Sequence, residues 1–490
     1  MRRWILAVVV SLALLAPPPA TAADDPLDPA LAAAREAFAG DPTRDTTLVL
    51  RDLFVALQQL DGTQRREAQA YLARPTDGAT DQFGDGYTVP AQRKCRGHIC
   101  IHWVTSTADA PPGQAWVGAN LKFMNKVWKY EVGKLGYRAP LSDKRRGGNG
   151  KLDVYLKELG SRGVYGYCAP ERRAKGRTWL ASGYCVLDND FAQAQYGAPP
   201  RDSMRVTAAH EFFHAVQYSY DYGEDPWLME ATATWMEERV ADDVNDNRQY
   251  LAHGQVGQPA QSLDRFNEQG FNQYGNWAFF EYLAGRFGTN VVRSIWNQAA
   301  AFAGGGHKFS TAAVKSVLAR HGGFVKVFRA YAGGNSIPAR TYAEGKAWPA
   351  APASRTWELT KAQRRSADTV RINHLASRNI KIRPGAGVRK GWRLRITVDG
   401  PAGRTSPAAY LVVRRKNGIG ANPIPLNGKG VGHAVIGFSP RKVYSATVAL
   451  VNASTRFSCW HRTNWSCQGR ARDDQQRFVL SATALPPKRR

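Results

Sequence analysis

Between residues 200 and 240 the apolar positions follow a helical period. Val206, Ala209, Phe213 and Val216 recur at three- and four-residue spacing, with Asp202 available as N-cap, and predict an amphipathic helix. Asp225 followed by Pro226 sets a cap and a first-turn proline in their preferred order. A second helix is therefore expected from Pro226 to about Val240, and the loop holding Asp221 and Gly223 would reverse the chain between the two. Further helical patterns cover Tyr274 to Phe287, Asn290 to Ala303, Ser310 to His321 and Phe324 to Ala332. Cys100 to Thr105 and Leu152 to Leu156 read as short strands rich in β-branched and apolar residues. Between them Val117, Leu121, Met124 and Trp128 mark a helix ending near Gly136.

The period changes at both ends of this region. Pro29 to Phe38, Thr46 to Leu60 and Thr63 to Ala73 suit a small helical unit, and Ala73 to Asp77 with the glycines after it reads as a linker. Trp348 to Ser354, rich in Pro and Ala, reads as a second linker. Beyond it, Leu394, Ile396 and Val398 continue from Trp392 at a period of two, and Tyr444, Ala446, Val448 and Leu450 repeat the pattern. Asn417-Gly418 marks a turn. Strands without intervening helices predict an all-β sandwich. The expected fold is an α+β domain over residues 95–347, preceded by a small helical segment and linker over 24–94. A linker over 348–357 and the β-sandwich over 358–490 would follow.

Composition adds a location. Arg2-Arg3, the apolar run from Trp4 to Ala16 and Ala20-Thr21-Ala22 have the layout of a signal peptide, expected to occupy residues 1–23. That run is too short to span a bilayer and no later stretch reaches transmembrane length, so the expectation is a secreted monomer. Six cysteines in an exported chain favour disulfides. Six permit fifteen connectivities, of which the most economical pairs Cys95 with Cys100, Cys168 with Cys185 and Cys459 with Cys467. A rival role for Cys95 is an inhibitory thiolate on a metal. The formal net charge is +27, yet Asp24 to Pro90 holds twelve acidic residues against six arginines and no lysine, a net of −6. An acidic segment ahead of a basic body suggests a pro-segment held partly by complementary charge, hence a zymogen.

The chemistry lies in His210-Glu211-Phe212-Phe213-His214 and in Glu230, sixteen residues further on. Histidines four apart share one helix face and can grip one metal ion. Glu211 stands beside them as a base, and Glu230, in the second turn of the next helix, can return as a third ligand, leaving one coordination position for water. The bland alternative is a pair of hydrogen-bonded core histidines with a solvated glutamate. HEFFHAVQ followed by WLMEATATWMEE resembles the glutamate-zincin clan of thermolysin-like metallopeptidases, and more narrowly a family of secreted bacterial metalloproteases. Cys100 to Val104, Lys151 to Leu156 and Tyr165 to Cys168 extend the likeness. By that resemblance the domain is zincin-like, Zn2+ is held by His210, His214 and Glu230, and Glu211 is the catalytic base. A metzincin needs Gly and His where this chain has Gln217 and Tyr220.

Two positions depart from the clan. Thr234 stands where an aspartate would orient a zinc-binding histidine, and Glu237 on the same face is the candidate replacement. Tyr274 is the candidate oxyanion donor, against ordinary packing in an aromatic-rich stretch. Asp242 to Asn247 is oxygen-rich but lacks EF-hand spacing, so a solvated helix end is expected, with Ca2+ as the alternative. Gly147 to Gly150 reads as a tight turn before a strand, since no P-loop Lys-Ser/Thr follows. The expected function is a secreted zinc endopeptidase acting on protein or peptide substrates. The alternative is a basic exported protein that binds anionic polymers or cell surfaces, its metal site structural or degenerate. No specific nucleic-acid motif accompanies the dispersed basic clusters.

Overall fold

The computed structural model describes residues 27–39, 45–77, 86–267 and 270–487, so the expected signal peptide lies outside the described residues. Three helices come first: α1 (Pro29–Phe38), α2 (Thr46–Ala56) and α3 (Gly62–Tyr71). Asp28 and Asp45 cap the first two by accepting backbone N–H groups of Ala30 and Leu48. A five-stranded sheet follows, built from β1 (Gln92–Arg96), β2 (Ile99–Trp103), β3 (Leu152–Lys157), β4 (Gly166–Arg173) and β5 (Ala181–Asp188), with α4 (Gln114–Trp128) between β2 and β3. Its order is β1-β2-β3-β5-β4, with β2, β3 and β5 parallel and both edge strands antiparallel.

The parallel strands are buried on both faces, as a covered sheet requires. On one face Leu31, Leu50 and Leu53 of the N-terminal helices pack on Tyr155, Tyr167 and Tyr184. On the other, Val154 and Leu187 meet Val117 and Met124 of α4 and Phe212 and Val216 of α6 (Pro200–Gln217). The N-terminal unit is thus one of three layers of the domain rather than a separate appendage. Between it and the sheet, Ala73 to Asp77 is no loose linker. Arg74 is buried there with Asp143, Asp153 and Glu171, each 2.6–2.7 Å from its guanidinium. Gly147 closes this cluster with a φ of +64°, and a Cβ at that position would stand 2.0 Å from Asp153 Oδ2. Only glycine serves at such a turn.

The remaining helices are α5 (Gln193–Tyr196), α7 (Pro226–Val240), α8 (Asn272–Gly275), α9 (Trp277–Phe287), α10 (Asn290–Ala299), α11 (Thr311–Leu318), α12 (Phe324–Gly334) and α13 (Pro338–Thr341). Two expectations shift. Helix α6 begins at Pro200, with Pro199 before it, so Asp202 lies in the first turn instead of at the cap. The helix expected from Tyr274 breaks at Asn276, whose side chain accepts from Gln255 N and donates to the carbonyl of Leu263, tying down two loops.

The C-terminal region is β-rich. β6 (Arg355–Leu359), β8 (Ala376–Pro384), β10 (Pro407–Arg415), β11 (Gly418–Pro423) and β13 (Val443–Asn452) form one sheet. β7 (Arg365–Ile372), β9 (Arg393–Asp399), β12 (Val431–Gly437) and β16 (Gln476–Leu485) form another, and β14 (Phe457–Ser458) and β15 (Arg470–Ala471) make a small ladder. Ile380, Leu411 and Val448 of the first sheet share a core with Leu394, Ile396 and Leu480 of the second. Tyr444 departs from its expected inward face. The register slips opposite Arg414 and Arg415, pairing them with Ser445 and Val443, and the bulge turns Tyr444 outward. The Pro/Ala linker is docked as well: Trp348 is buried against Tyr342 and Trp277, and Ala351 N donates to the carbonyl of Asn335. All three expected disulfides are formed, so Cys95 is committed to Cys100. Among the described residues no helix is long and apolar enough to cross a membrane.

His374 fastens the β-rich region to the helical one. Its Nε2 lies 2.9 Å from Asp264 Oδ1, both groups being buried. Burial lowers the imidazole pKa, but the Asp264 charge and the bonds to Asp264 and Asp474 outweigh it and push it up to about 9. A raised histidine pKa stabilises the fold fully below the unfolded value and is lost as pH climbs through the folded one. The pair should contribute about 3 kcal/mol below pH ~6.5 and nothing above ~9. Thermal midpoints of the full chain should therefore fall across that window, and His374→Gln should flatten the fall. An equally steep fall in the variant would assign the pH dependence elsewhere.

Candidate metal centre

Helices α6 and α7 form the site. Pro226 at the first turn of α7 follows Asp225, as expected, but the Asp225 carboxylate does not cap its own helix. Its Oδ2 accepts from Cys467 N in the C-terminal region instead. The turn between the helices returns Glu230 to the histidine pair. His210 Nε2 stands 3.1 Å from Glu230 Oε2, and His214 Nε2 stands 3.5 Å from Glu230 Oε1. Two ligands about 2.0–2.1 Å from a tetrahedral ion are separated by about 3.3 Å, so these three side chains are spaced as ligands of one ion. His210, His214 and Glu230 each present a ligand atom within 4.8 Å of the others.

The outer nitrogens fix the rings. His210 Nδ1 lies 2.7 Å from Glu237 Oε1, the carboxylate expected to stand in for the missing aspartate. Thr234 donates to the carbonyl of Glu230 and orients no histidine. Gln217 donates its amide to the carbonyl of Met229, which aims its Oε1 at His214 Nδ1, 2.8 Å away. An acceptor at each Nδ1 leaves both Nε2 atoms to face Glu230, the support usual around metal-binding histidines. The role of Gln217 could not be read from sequence, because a glutamine three residues along a helix has no fixed partner.

Burial and close approach shift the titratable groups at the centre. Glu211 and Glu230 are both pushed up to about 8, first by burial and next by neighbouring charge, with Asp45 raising each, and Glu237 is pushed up to about 7, mainly by burial. Burial lowers His210, but its bonds to Glu230 and Glu237 raise it well above the usual range, while burial and His210 depress His214. Glu230 Oε1 is buried without a hydrogen bond. Two imidazoles, a fully buried carboxylate with one orphaned oxygen and converging negative charge fit a zinc ion in donor type and number.

Glu211 lies beside the cluster, with its Oε2 accepting from Thr47 Oγ1 at 3.3 Å. Gly166 makes room for it. A Cβ there would stand 3.1 Å from Glu211 Cγ and 3.0 Å from the carbonyl of Val186. Tyr274 also reaches the site, with its ring centroid 6.1 Å from that of His210 and its hydroxyl donating to Asp45 Oδ2 at 2.6 Å. The cleft of about 360 Å³ in front of the histidines is lined by Tyr165, Tyr250, Tyr274 and, from the N-cap and first turn of α2, Asp45 and Thr47. Periodicity could not place α2 here, since its contact with α6 spans more than 160 residues of chain.

The oxygen-rich segment 242–247 does not gather around one point. Asp243 pairs with Arg205, Asp246 accepts from Gln249 and Asn247 donates to Glu238. Asp242 approaches Glu238 and Glu344, two carboxylates already paired with Arg239 and Arg248.

Residues 92–303 match a family described as a family of unknown function (DUF6055). No curated protein matches the chain. The matched span contains His210, Glu211, His214, Glu230, Glu237 and Tyr274, whereas α2 and the β-rich region lie outside it.

Proposed function

We propose that this chain is a zinc-dependent hydrolase of peptide bonds, an endopeptidase of the glutamate-zincin kind that acts outside the cytosol. The observation that carries the reading is the convergence of His210 Nε2, His214 Nε2 and the Glu230 carboxylate, each ring held from behind, beside an unligated glutamate. A zinc ion bound there would supply Lewis acidity to a scissile carbonyl and to a water molecule. Glu211 would take the proton from the attacking water and return it to the leaving nitrogen. Tyr274, once its hydroxyl is released from Asp45, would donate to the oxygen on which negative charge develops. Three disulfides support a working place outside the cytosol.

A groove of about 760 Å³ beside α4, lined by Arg96, Lys122, Lys126, Lys129 and Arg201, favours an added attraction to anionic surfaces or polymers. This field is compatible with a peptidase and would concentrate acidic substrates near it.

Elemental analysis of the chelator-washed, zinc-reloaded chain should give about one zinc per molecule, from the three-ligand count. His214→Ala and Glu230→Ala should hold at most a small fraction of that. A folded wild type that takes up no zinc would leave the HEFFH helix structural and return the lead to polyanion binding.

A further inference from the structure

The side chains that close the cleft come from the acidic N-terminal unit. Asp45 and Thr47 stand at the N-terminus of α2, in front of the histidines. Asp45 Oδ2 accepts the Tyr274 hydroxyl, the donor that an oxyanion would need. Thr47 Oγ1 donates to Glu211 Oε2, the oxygen that would receive a proton from water. The same hydroxyl accepts from Cys168 N at 3.0 Å, an outward N–H on the edge strand β4, where an extended chain could otherwise pair. Deeper in α2, Arg51 is buried and donates to the carbonyl of Glu224 in the turn that positions Glu230. The two acid-base groups the reaction would use, Glu211 and Tyr274, are thus already engaged by Thr47 and Asp45 at the start of α2.

We propose that α2 is an intramolecular plug, with Asp45 and Thr47 occupying the substrate's place in the cleft and holding the enzyme latent until α2 is displaced. The proposal rests on the hydrolase reading. The sign of the Asp45 charge separates a plug from catalytic machinery. Hydrolysis builds negative charge on the carbonyl oxygen, and a fixed carboxylate bonded to the intended donor opposes that charge rather than stabilising it. Space argues the same way. About 360 Å³ remains in front of the histidines, near the lower bound of small-molecule pockets, and an extended peptide needs more. Complementary charge between the acidic segment and the basic body helps to seat the plug.

The test uses the full chain with Asp45→Gly, and separately Asp45→Gly with Thr47→Val. Glycine retains most of the capping value, so α2 itself should persist. Two readouts keep the plug and the hydrolase reading apart. The first is the rate of diethyl pyrocarbonate modification of His210 in the zinc-stripped protein, followed by peptide mass spectrometry, which needs no activity. The second is hydrolysis of a fluorescein-labelled unfolded protein by the zinc-loaded chain. Both rates should rise at least tenfold in the double variant, with a smaller rise for Asp45→Gly alone. Faster modification with no hydrolysis by any of the proteins, wild type included, would uphold the plug and defeat the hydrolase reading. Unchanged modification, or hydrolysis lower than in the wild type, would overturn the plug and make Asp45 and Thr47 part of the working site.

Discussion

Glu211→Gln should retain zinc and lose hydrolysis by a factor of about 10² to 10⁴, the range that a positioned acid-base group contributes. The change substitutes an amide of nearly the same shape, so Thr47 keeps an acceptor, but the amide cannot take a proton from water. Glu211 is none of the three converging ligands, which is why metal content should not move. The comparison is cleanest in the chain freed by the changes at Asp45 and Thr47, where basal hydrolysis is highest. Stability should move the other way. Glu211 is buried, with its carboxyl pushed up to about 8 by burial and by the Asp45 charge, so a neutral isostere should leave the thermal midpoint unchanged or higher. Hydrolysis equal to the wild type at full zinc content would end the general-base assignment.

The centre was legible in the sequence because its parts are local. Helical spacing alone sets His210 and His214 on one face, and Asp225-Pro226 sets the phase of the helix that returns Glu230. Glu237 follows from the same phase and does reach His210. What escaped is the set of contacts whose partners are distant in sequence. Thr47 and Glu211 meet across more than 160 residues, and Arg74 reaches Asp153 across 79. A polar residue beside a proline, as Arg74 is, looks like linker until the acids it serves are known. The docked Trp348 escaped for a related reason, since Pro and Ala around it suggest a tether whether or not the aromatic ring finds a pocket. Tyr444 shows the limit of alternation, because a one-residue bulge inverts the face without altering the pattern.

Layering explains how the acidic segment can be both scaffold and plug. Its apolar side covers Tyr155, Tyr167 and Tyr184 on the sheet, while one end of α2 enters the cleft. Deleting the whole segment would strip a layer from the core and would confound latency with folding. Point changes at the cleft end of α2 avoid this, whereas a change at the anchor that seats the segment on the sheet reads the segment's contribution to folding.

That anchor is Arg74, and Arg74→Met should destabilise the full chain by about 3–5 kcal/mol, the usual consequence of removing one partner from a buried ionic cluster. The guanidinium donates through Nε and Nη2 to Glu171, through Nη2 to Asp143 and through Nη1 to Asp153. Removing it leaves three buried carboxylates, with the half-exposed Arg146, 3.9 Å from Glu171, as the guanidinium still beside them. Burial already raises Asp143 and Glu171 above the usual carboxylate range even with the arginine in place, so its loss should drive protons onto them and loosen the contact with the segment. Arg74→Lys should recover only part of the loss, because one ammonium cannot present the planar fork that serves three acids. Denaturant melts of the three full-length proteins would rank them wild type, lysine, methionine. Hydrogen exchange would place the change, with α2 and α3 losing protection in Arg74→Met before α6 and α7 do. A methionine variant as stable as the wild type would mean that the apolar contacts of the helices with the sheet suffice to hold the segment, and that the cluster does not seat it.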